Sequence, residues 1–526
     1  MEISWLSLIP PCIAIITALI IHNINISLLL GIASASLIAC NGSIEKSLLL
    51  IANRSWGEIT SSEKAYLYLF LIVISCLVSV FNHNGCINSF AHFVSKHIKS
   101  FRALQTSSML ISLSLFIDDY LSILATGFIM SPLTDRFGIP RQKLAYLVHS
   151  LAGPLVILAP ISSWVGAITT YMHDSGINSL ASEDIHILAD PFFVYLGTIP
   201  FIFYSFLTIG STWFIVHNHI SYGPMRFYEQ TQQPKPINTT SSLLPEHYPP
   251  IGDLFLPLIV ILVGTFFGIL YSGNYYFLGG TLSLLEAIKQ SNDLCLVLFL
   301  ASVAALVSSL FLSFAHRTIS WKQLPALFIE GSTLMCPVII MLFLAAVFGA
   351  MLKSDLFTGH YLATSLLSNI PIALLPAMFF IATITITIAT GSAWAAIALM
   401  LPIALPMLIT VLQLTESIDP VQIPILFPLL GAIFSGAVCG DHLSPIGGST
   451  VMTASSTGVA PLIHAYTQFF YALPSLLCTI LAFLLSGYCI QYPLWINCLI
   501  SLGTSTLLCF IILWLLHKHT LKHRAS

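Results

Sequence analysis

Apolar residues in this chain come in runs of roughly 15 to 40 positions divided by short polar segments, too long for strands and long enough for helices that cross a bilayer. Runs at about 5–22, 26–40 and 66–82 predict three spanning helices. A polar amphipathic stretch with Lys96, Lys99 and Arg102 follows, then an apolar segment at 104–130 interrupted by Asp118-Asp119-Tyr120. Arg136, Arg141 and Lys143 come next, so basic loops flank this segment on both sides. Lys and Arg collect on the cytoplasmic face. The segment therefore predicts a re-entrant hairpin that enters and leaves by that face, with the acidic pair near its turn. The run 144–171 is broken by Gly153-Pro154 and Pro160, as in a discontinuous helix. It leads to a loop at 172–192 with Asp174, Glu183, Asp184 and Asp190 and no Lys or Arg, expected outside, and a span at about 193–216 returns the chain.

The second half repeats this plan after a stretch at 217–252 rich in Pro, Gln, Thr and Ser, which reads as a flexible cytoplasmic linker. Spans at about 254–271, 294–313 and 331–351 precede a long apolar segment at 373–410, interrupted at Thr390-Gly391-Ser392. Its flanks hold Lys353, Asp355, Glu416 and Asp419, so this hairpin is expected to enter from outside. A broken helix at about 425–455 and spans at 461–487 and 493–516 complete the chain. The stretch Leu158-Ala159-Pro160-Ile161-Ser162-Ser163 matches Leu443-Ser444-Pro445-Ile446-Gly447-Gly448, each in the broken helix after a hairpin. The expected fold is an all-α polytopic membrane protein with two inverted-topology repeats, re-entrant hairpins, broken helices and about 11 crossings. Its parts are a first repeat at 1–216, the linker 217–252, a second repeat at 253–487, and an extra helix with a basic tail at 488–526.

Composition supports the membrane reading and narrows the partners. Among 526 residues, 57% are apolar and 7% charged, against about 25% charged in a soluble domain. Mean hydropathy is +0.92. The lipid bilayer is thus the first partner, and the net charge of −3 gives no basis for nucleic acid. The 11 cysteines are scattered, with no C-x-x-C pair, and read as reduced apolar residues. The N-terminus starts Met1-Glu2 without Lys or Arg before its apolar run, which reads as a span rather than a signal peptide.

In so apolar a chain, polar residues inside the runs carry the chemistry. An ionisable group at a helix centre costs about 2.5–3.5 kcal/mol on the insertion scale. Asp118 and Asp119 pay this cost as neighbours, which suits a site exchanging H⁺ for a metal cation; the bland alternative is a helix cap. His149, inside the first broken helix, could relay a proton or donate one structural hydrogen bond. Ser162, Ser163 and Trp164 follow Pro160, where lost helical bonds free carbonyl oxygens for a hard cation or a small polar ligand; Ser capping is the alternative. Gly391, Ser392 and Trp394 mark the second hairpin's tip, as a ligand contact or a plain turn. Asp441, His442, Ser444, Gly447, Gly448, Ser449 and Thr450 form a second polar cluster beside Pro445, too expensive to bury for packing alone. Gly264-x-x-x-Gly268 and Gly436-x-x-x-Gly440 read as close helix packing. No H-E-x-x-H, G-x-S-x-G or Walker A pattern occurs in the sequence, which disfavours an enzyme and ATP-driven transport.

These residues resemble the NhaC-type Na⁺/H⁺ antiporter family of the ion transporter superfamily. The resemblance rests on FIDDY (116–120), SPLTDRFGIPRQKLAY (131–146), LAPISSWVG (158–166), ATGSAWAAIALMLPIALP (389–406) and GDHLSPIGGST (440–450). It implies alternating access and cation-coupled transport across a prokaryotic inner membrane, with the C-terminus cytoplasmic. It also implies Asp118, Asp119 and Asp441 as ligands of a transported Na⁺, and no cofactor. Two positions depart from the family: Gly448 stands where the family pattern has a second acidic residue, and His149 replaces the usual Asp of the first repeat. Both remove a carboxylate.

The leading expectation is therefore a secondary Na⁺/H⁺ antiporter with a midplane site. A cation-coupled carboxylate or amino-acid transporter of the same fold is the alternative, and an intramembrane hydrolase using Asp441 and His442 a remote one. The transported partner is a small ion or small organic substrate, and the fold leaves room for a homo-oligomer.

Overall fold

The computed structural model describes residues 4–21, 23–98, 100–179, 187–231, 249–291, 293–366, 370–414 and 416–522. The chain is an all-helical membrane protein; the described strands are two-residue segments, Ile177–Asn178 and Ile187–Leu188, paired in parallel. By length and hydropathy nine described helices are able to cross a membrane, or up to 11 if two bent pairs each count as one span. Most of the linker, 232–248, and part of the acidic loop, 180–186, lie outside the described residues.

Both interrupted apolar segments fold as hairpins. In the first, Phe101–Ser114 and Asp119–Phe137 are joined through residues 115–118. In the second, Leu375–Thr390 turns into Ala393–Val411 through Gly391 and Ser392, with Gly391 at φ 67°, where an L side chain would be strained. Each hairpin precedes a broken helix. The first, Arg141–Leu158 with Ser163–Asp174, bends by 51°. Its break falls around Pro160, and Gly153-Pro154 stay inside the helix, so only one of the two expected breakers breaks it. The second runs as Leu426–Leu443 and Gly448–Thr457, parted by Ser444–Gly447.

The repeats interlock. The distal half of each broken helix packs on a limb of the other repeat's hairpin: Gly448–Thr457 on Asp119–Phe137, and Ser163–Asp174 on Ala393–Val411. Matching helices of the two repeats run antiparallel. His83, late in Ser62–Asn84, faces Glu330, early in Leu324–Ala350, while Lys64 at the start of the former and Lys353 beyond the latter both reach Asp174. That is the inversion expected of the second repeat.

The first two apolar runs differ from the expected pair of spans. They form the shorter apolar helices Trp5–Ile21, whose first turn is 3-10, and Ile24–Ala39, packed on each other. At 1.5 Å per residue such helices reach about 24–26 Å, short of the ~30 Å hydrocarbon core. Thr358 touches the Ser7 carbonyl at the outset of this hairpin, and Ser47 the Ser36 carbonyl near its end, while its turn reaches the interior with Asn25. The sequence reads as two spans because both runs are apolar and only His22, Asn23 and Asn25 mark the turn between them.

The two glycine pairs lie where helix axes approach closely. Gly264 and Gly268 face Ala301 and Val297, and Gly436 and Gly440 face Thr383, Thr387 and the carbonyls of Phe380 and Ile384. The 11 cysteines are free thiols.

Candidate functional site

One cavity of about 180 Å³ collects the breaks of the fold. Its wall is made mostly of helix beginnings: Ile24 and Asn25 of Ile24–Ala39, Asp119 and Tyr120 of Asp119–Phe137, Trp164 of Ser163–Asp174, Trp394 of Ala393–Val411, and Gly448 with Ser449 of Gly448–Thr457. Asp441 and Gly391 complete the polar side, and Pro337, Val338 and Met341 form the apolar one. Each helix N-terminus carries the equivalent of about half a positive charge. Five of them therefore face two carboxylates, and no Lys or Arg lines the cavity among the described residues. One added proton or cation changes the sign balance of such a site.

The neighbouring aspartates divide their work. Asp118 is the N-cap of Asp119–Phe137, its Oδ1 accepting from the Leu121 N–H at 2.9 Å, and it does not line the cavity. Asp119 does, and its Oδ1 accepts from the Trp164 indole at 3.2 Å. That bond ties the first hairpin to the distal half of the first broken helix. A second tie is backbone, from the Ser163 N–H to the Ile117 carbonyl at 2.8 Å. Trp164 and Trp394 pack with ring centroids 5.0 Å apart and bring the two repeats' breaks together. Ser162 and Ser163 are buried behind this wall and do not line the cavity.

Asp441 is placed by the second break. The helix carrying it ends at Leu443, and Ser444–Gly447 turns the chain so that the next helix starts beside the carboxylate. Asp441 Oδ2 accepts from the Ser449 hydroxyl at 2.5 Å, while Oδ1 lies against Gly447, where a Cβ would come within 3.0 Å. Thr450 bonds the Ser444 carbonyl at 2.8 Å, and the Ser444 hydroxyl reaches the Ile388 carbonyl at 3.3 Å; both hold the turn. Ser392 caps its own helix through the Ala395 N–H. The helix starting at Gly448 has no side-chain cap. A Cβ on Gly448 would meet nothing nearer than the Tyr120 hydroxyl at 3.7 Å, so this position opens onto the cavity.

His149 and His442 stand behind Asp441. His149 Nε2 lies 3.0 Å from the Ser449 hydroxyl and 3.6 Å from Asp441 Oδ2, and its Nδ1 lies 3.0 Å from His464 Nε2. His442 turns away from the cavity to meet the Tyr204 hydroxyl at 3.0 Å, with its ring 4.8 Å from that of His149. The adjacent Asp441 and His442 thus face different partners, and the dyad an intramembrane hydrolase would need is not formed.

Sequence reasoning missed Asn25, Tyr120 and His464, whereas Trp394, expected at the tip of the second hairpin, lines the cavity. Tyr120 sits inside a motif already singled out, next to Asp119. Asn25 and His464 carried no local signal.

The sequence model of the Na⁺/H⁺ antiporter family matches residues 155–488, well over half of the chain. The chain belongs to the Na⁺/H⁺ antiporter family. It is a transporter and not an enzyme. The match takes in the first break, the second hairpin and the whole second break, hence Trp164, Trp394 and Asp441. This family member is 27% identical to an uncharacterized protein of Haemophilus influenzae (strain Rd) over 493 residues, which covers 92% of this chain and 91% of that one. It is 29% identical over 117 residues to the malate-2H(+)/Na(+)-lactate antiporter of Bacillus subtilis (strain 168), 22% of this chain and 23% of that one. Two solved structures share its fold. MtrF of Neisseria gonorrhoeae, described among antimetabolite efflux pumps, has a TM-score of 0.56 at 14% identity and covers 85% of both chains. The YdaH transporter of Alcanivorax borkumensis has a TM-score of 0.55 at 13% identity, over 87% of this chain and 91% of that one.

Proposed function

We propose that this secondary transporter exchanges Na⁺ for H⁺ by alternating access at the central cavity, with Asp119 and Asp441 as the groups for which the two ions compete. The observation that carries this reading is that one carboxylate from each repeat lines a single cavity free of Lys and Arg among the described residues. A transported Na⁺ finds oxygens at Asp119, Asp441, Ser392 and Asn25. Asp118, capping its helix from outside the cavity, supports the site without joining it. Cargo held by Asp119 and Asp441 is exposed to alternate faces as the breaks move.

Orientation follows from charge. Contacts gather Arg102, Arg136, Arg141, Lys143, Arg226 and Lys518 at one end, where Arg141 pairs with Asp135, Lys143 with Glu229, and Arg226 with the Thr520 carbonyl. Glu58, Glu63 and Asp174 lie at the other end, where Lys64 pairs with Glu58 and Asp174 and Lys353 bonds the Asp174 carbonyl. The positive-inside rule supports a cytoplasmic basic end and, with it, a cytoplasmic C-terminus in a prokaryotic inner membrane.

A second reading has its own observation. Five helix N-termini around the cavity suit the carboxylate of an organic acid or amino acid, the uncapped start at Gly448 most of all. The 180 Å³ cavity holds about six waters at ~30 Å³ each, more than a bare Na⁺ needs. The partial likeness to a malate and lactate antiporter points the same way.

Vesicles with the reconstituted protein and an internal pH dye separate the two readings. Added Na⁺ is expected to alkalinise or acidify the lumen according to its gradient. No dye response to Na⁺, Li⁺ or K⁺, together with uptake of labelled malate, lactate or an amino acid, replaces the first reading by the second.

A further inference from the structure

Three imidazoles meet in the interior behind the cavity. His149 and His442 come from the two broken helices, and His464 from Pro461–Tyr488. All three are at most 1% exposed. Ionisable groups are costly at such a place and mark proton or ion paths when they line up. Here they do: Asp441 Oδ2 to the Ser449 hydroxyl is 2.5 Å, Ser449 to His149 Nε2 is 3.0 Å, and His149 Nδ1 to His464 Nε2 is 3.0 Å. Of these groups only Asp441 and Ser449 line the cavity. The far nitrogen, His464 Nδ1, is buried without a partner, and so is Gln468 Oε1 one helical turn further on. Gln468 in turn donates to Ser150, and Tyr471, the next turn on that face, lies under the Lys143 ammonium, which pairs with Glu229 at the basic end. The polar chain thus points from Asp441 toward the end that carries the basic loops.

We propose that His464 and His149 carry protons between Asp441 and the basic end of the molecule by a route separate from the cavity that holds cargo. The proposal rests on the reading of Asp441 as an exchange site. In the direction of loading, His464 takes a proton at Nδ1 and passes one from Nε2 to His149 Nδ1. His149 Nε2–H then gives its proton to the Ser449 oxygen as that hydroxyl protonates Asp441 Oδ2. Each hop moves one proton between lone pairs, and unloading reverses the order. The groups facing this chain are the His442 imidazole from Leu426–Leu443, Asp441 itself, and Asp119 across the cavity. His464 touches no cargo and acts through His149.

The test compares two fluxes of the full chain in proteoliposomes. One is Na⁺-driven H⁺ movement read by an internal pH dye. The other is exchange of labelled Na⁺ for Na⁺ at equal pH, which needs no net proton transfer. A Gln or Asn at 464 keeps a polar atom but cannot pass a proton. His464→Gln is expected to slow the coupled flux by about tenfold or more while Na⁺/Na⁺ exchange continues, and His149→Gln to give the same split. Equal loss of both fluxes in His464→Gln and His464→Asn, or loss of neither, overturns the relay. The same pair of fluxes is run with labelled malate. A wild-type protein that exchanges malate and not Na⁺ overturns the Na⁺ reading, and the relay is then judged by the same split on malate.

Discussion

Asp441→Asn and Asp119→Asn each reduce H⁺-coupled transport to background in reconstituted vesicles, while Asp118→Asn keeps most of it. The three substitutions are nearly isosteric, so the difference comes from what each carboxylate does. Asn at 441 still accepts from Ser449, and Asn at 119 still accepts from Trp164, so the packing of both breaks survives. Neither amide can bind and release a proton or neutralise a cation in a site where five helix N-termini leave positive potential. Loss of a positioned proton acceptor costs on the order of a hundredfold or more. Asp118 is different because its role is to cap. Asn ranks with Asp as an N-cap, so stability changes by only a few tenths of a kcal/mol. Flux with a pH dye, together with the amount of folded protein recovered, checks all three variants. Equal loss in Asp118→Asn and Asp119→Asn would remove the distinction between cap and ligand. Full activity of Asp441→Asn would remove the site.

This distinction shows what the sequence could and could not carry. Asp118, Asp119 and Asp441 stood out because ionisable residues are expensive in apolar runs, and the hairpin tips and broken helices followed from the same argument with glycine and proline. Which of two adjacent aspartates caps and which faces the cavity depends on helix phase at one residue, and cost alone does not resolve that. The N-terminal hairpin was hidden for another reason. Its limbs are as apolar as spans, and only their length and the place of Asn25 beside the other breaks show that they turn back. His464 is one histidine in the first turn of a long helix, and its meaning appears only when the fold sets it 3.0 Å from His149.

The departures at 149 and 448 also gain a physical sense. His149 occupies a position where the family pattern has a carboxylate, yet it remains linked to Asp441 through Ser449 and 3.6 Å away from it. In the proposed relay an imidazole thus stands where the resemblance implies a carboxylate. Gly448 leaves free space at a helix start next to Tyr120. Relative to the pattern the resemblance implies, Gly448 leaves the cavity wall with one carboxylate fewer and more room.

Gly440→Ala destabilises the protein and lowers transport with it, whereas Gly153→Ala does neither. Both glycines sit in the interior of broken helices, and by helix propensity alone each substitution should stabilise by up to about 1 kcal/mol. The neighbours decide otherwise. A Cβ on Gly440 falls onto Thr387 Cβ and comes within 2.9 Å of the Ile384 carbonyl, so two packed helix backbones must part. Beyond its chain neighbours a Cβ on Gly153 meets only Val438 Cγ1 at 3.6 Å, an ordinary contact, and the crowding it adds against the Pro154 ring offsets the propensity gain without parting two helices. Overpacking of the first kind costs about 1–3 kcal/mol. The cost also reaches the site, because Gly440 precedes Asp441 and the displaced helix carries the carboxylate away from Ser449 and the cavity. The readout is the temperature at which the detergent-solubilised protein loses its monodisperse peak, alongside flux in vesicles. Gly440→Ala should fall below wild type in both, and Gly153→Ala should match or exceed it in the first. If the two variants melt together, the close approach of Leu426–Leu443 to Leu375–Thr390 is not what holds Asp441 in place.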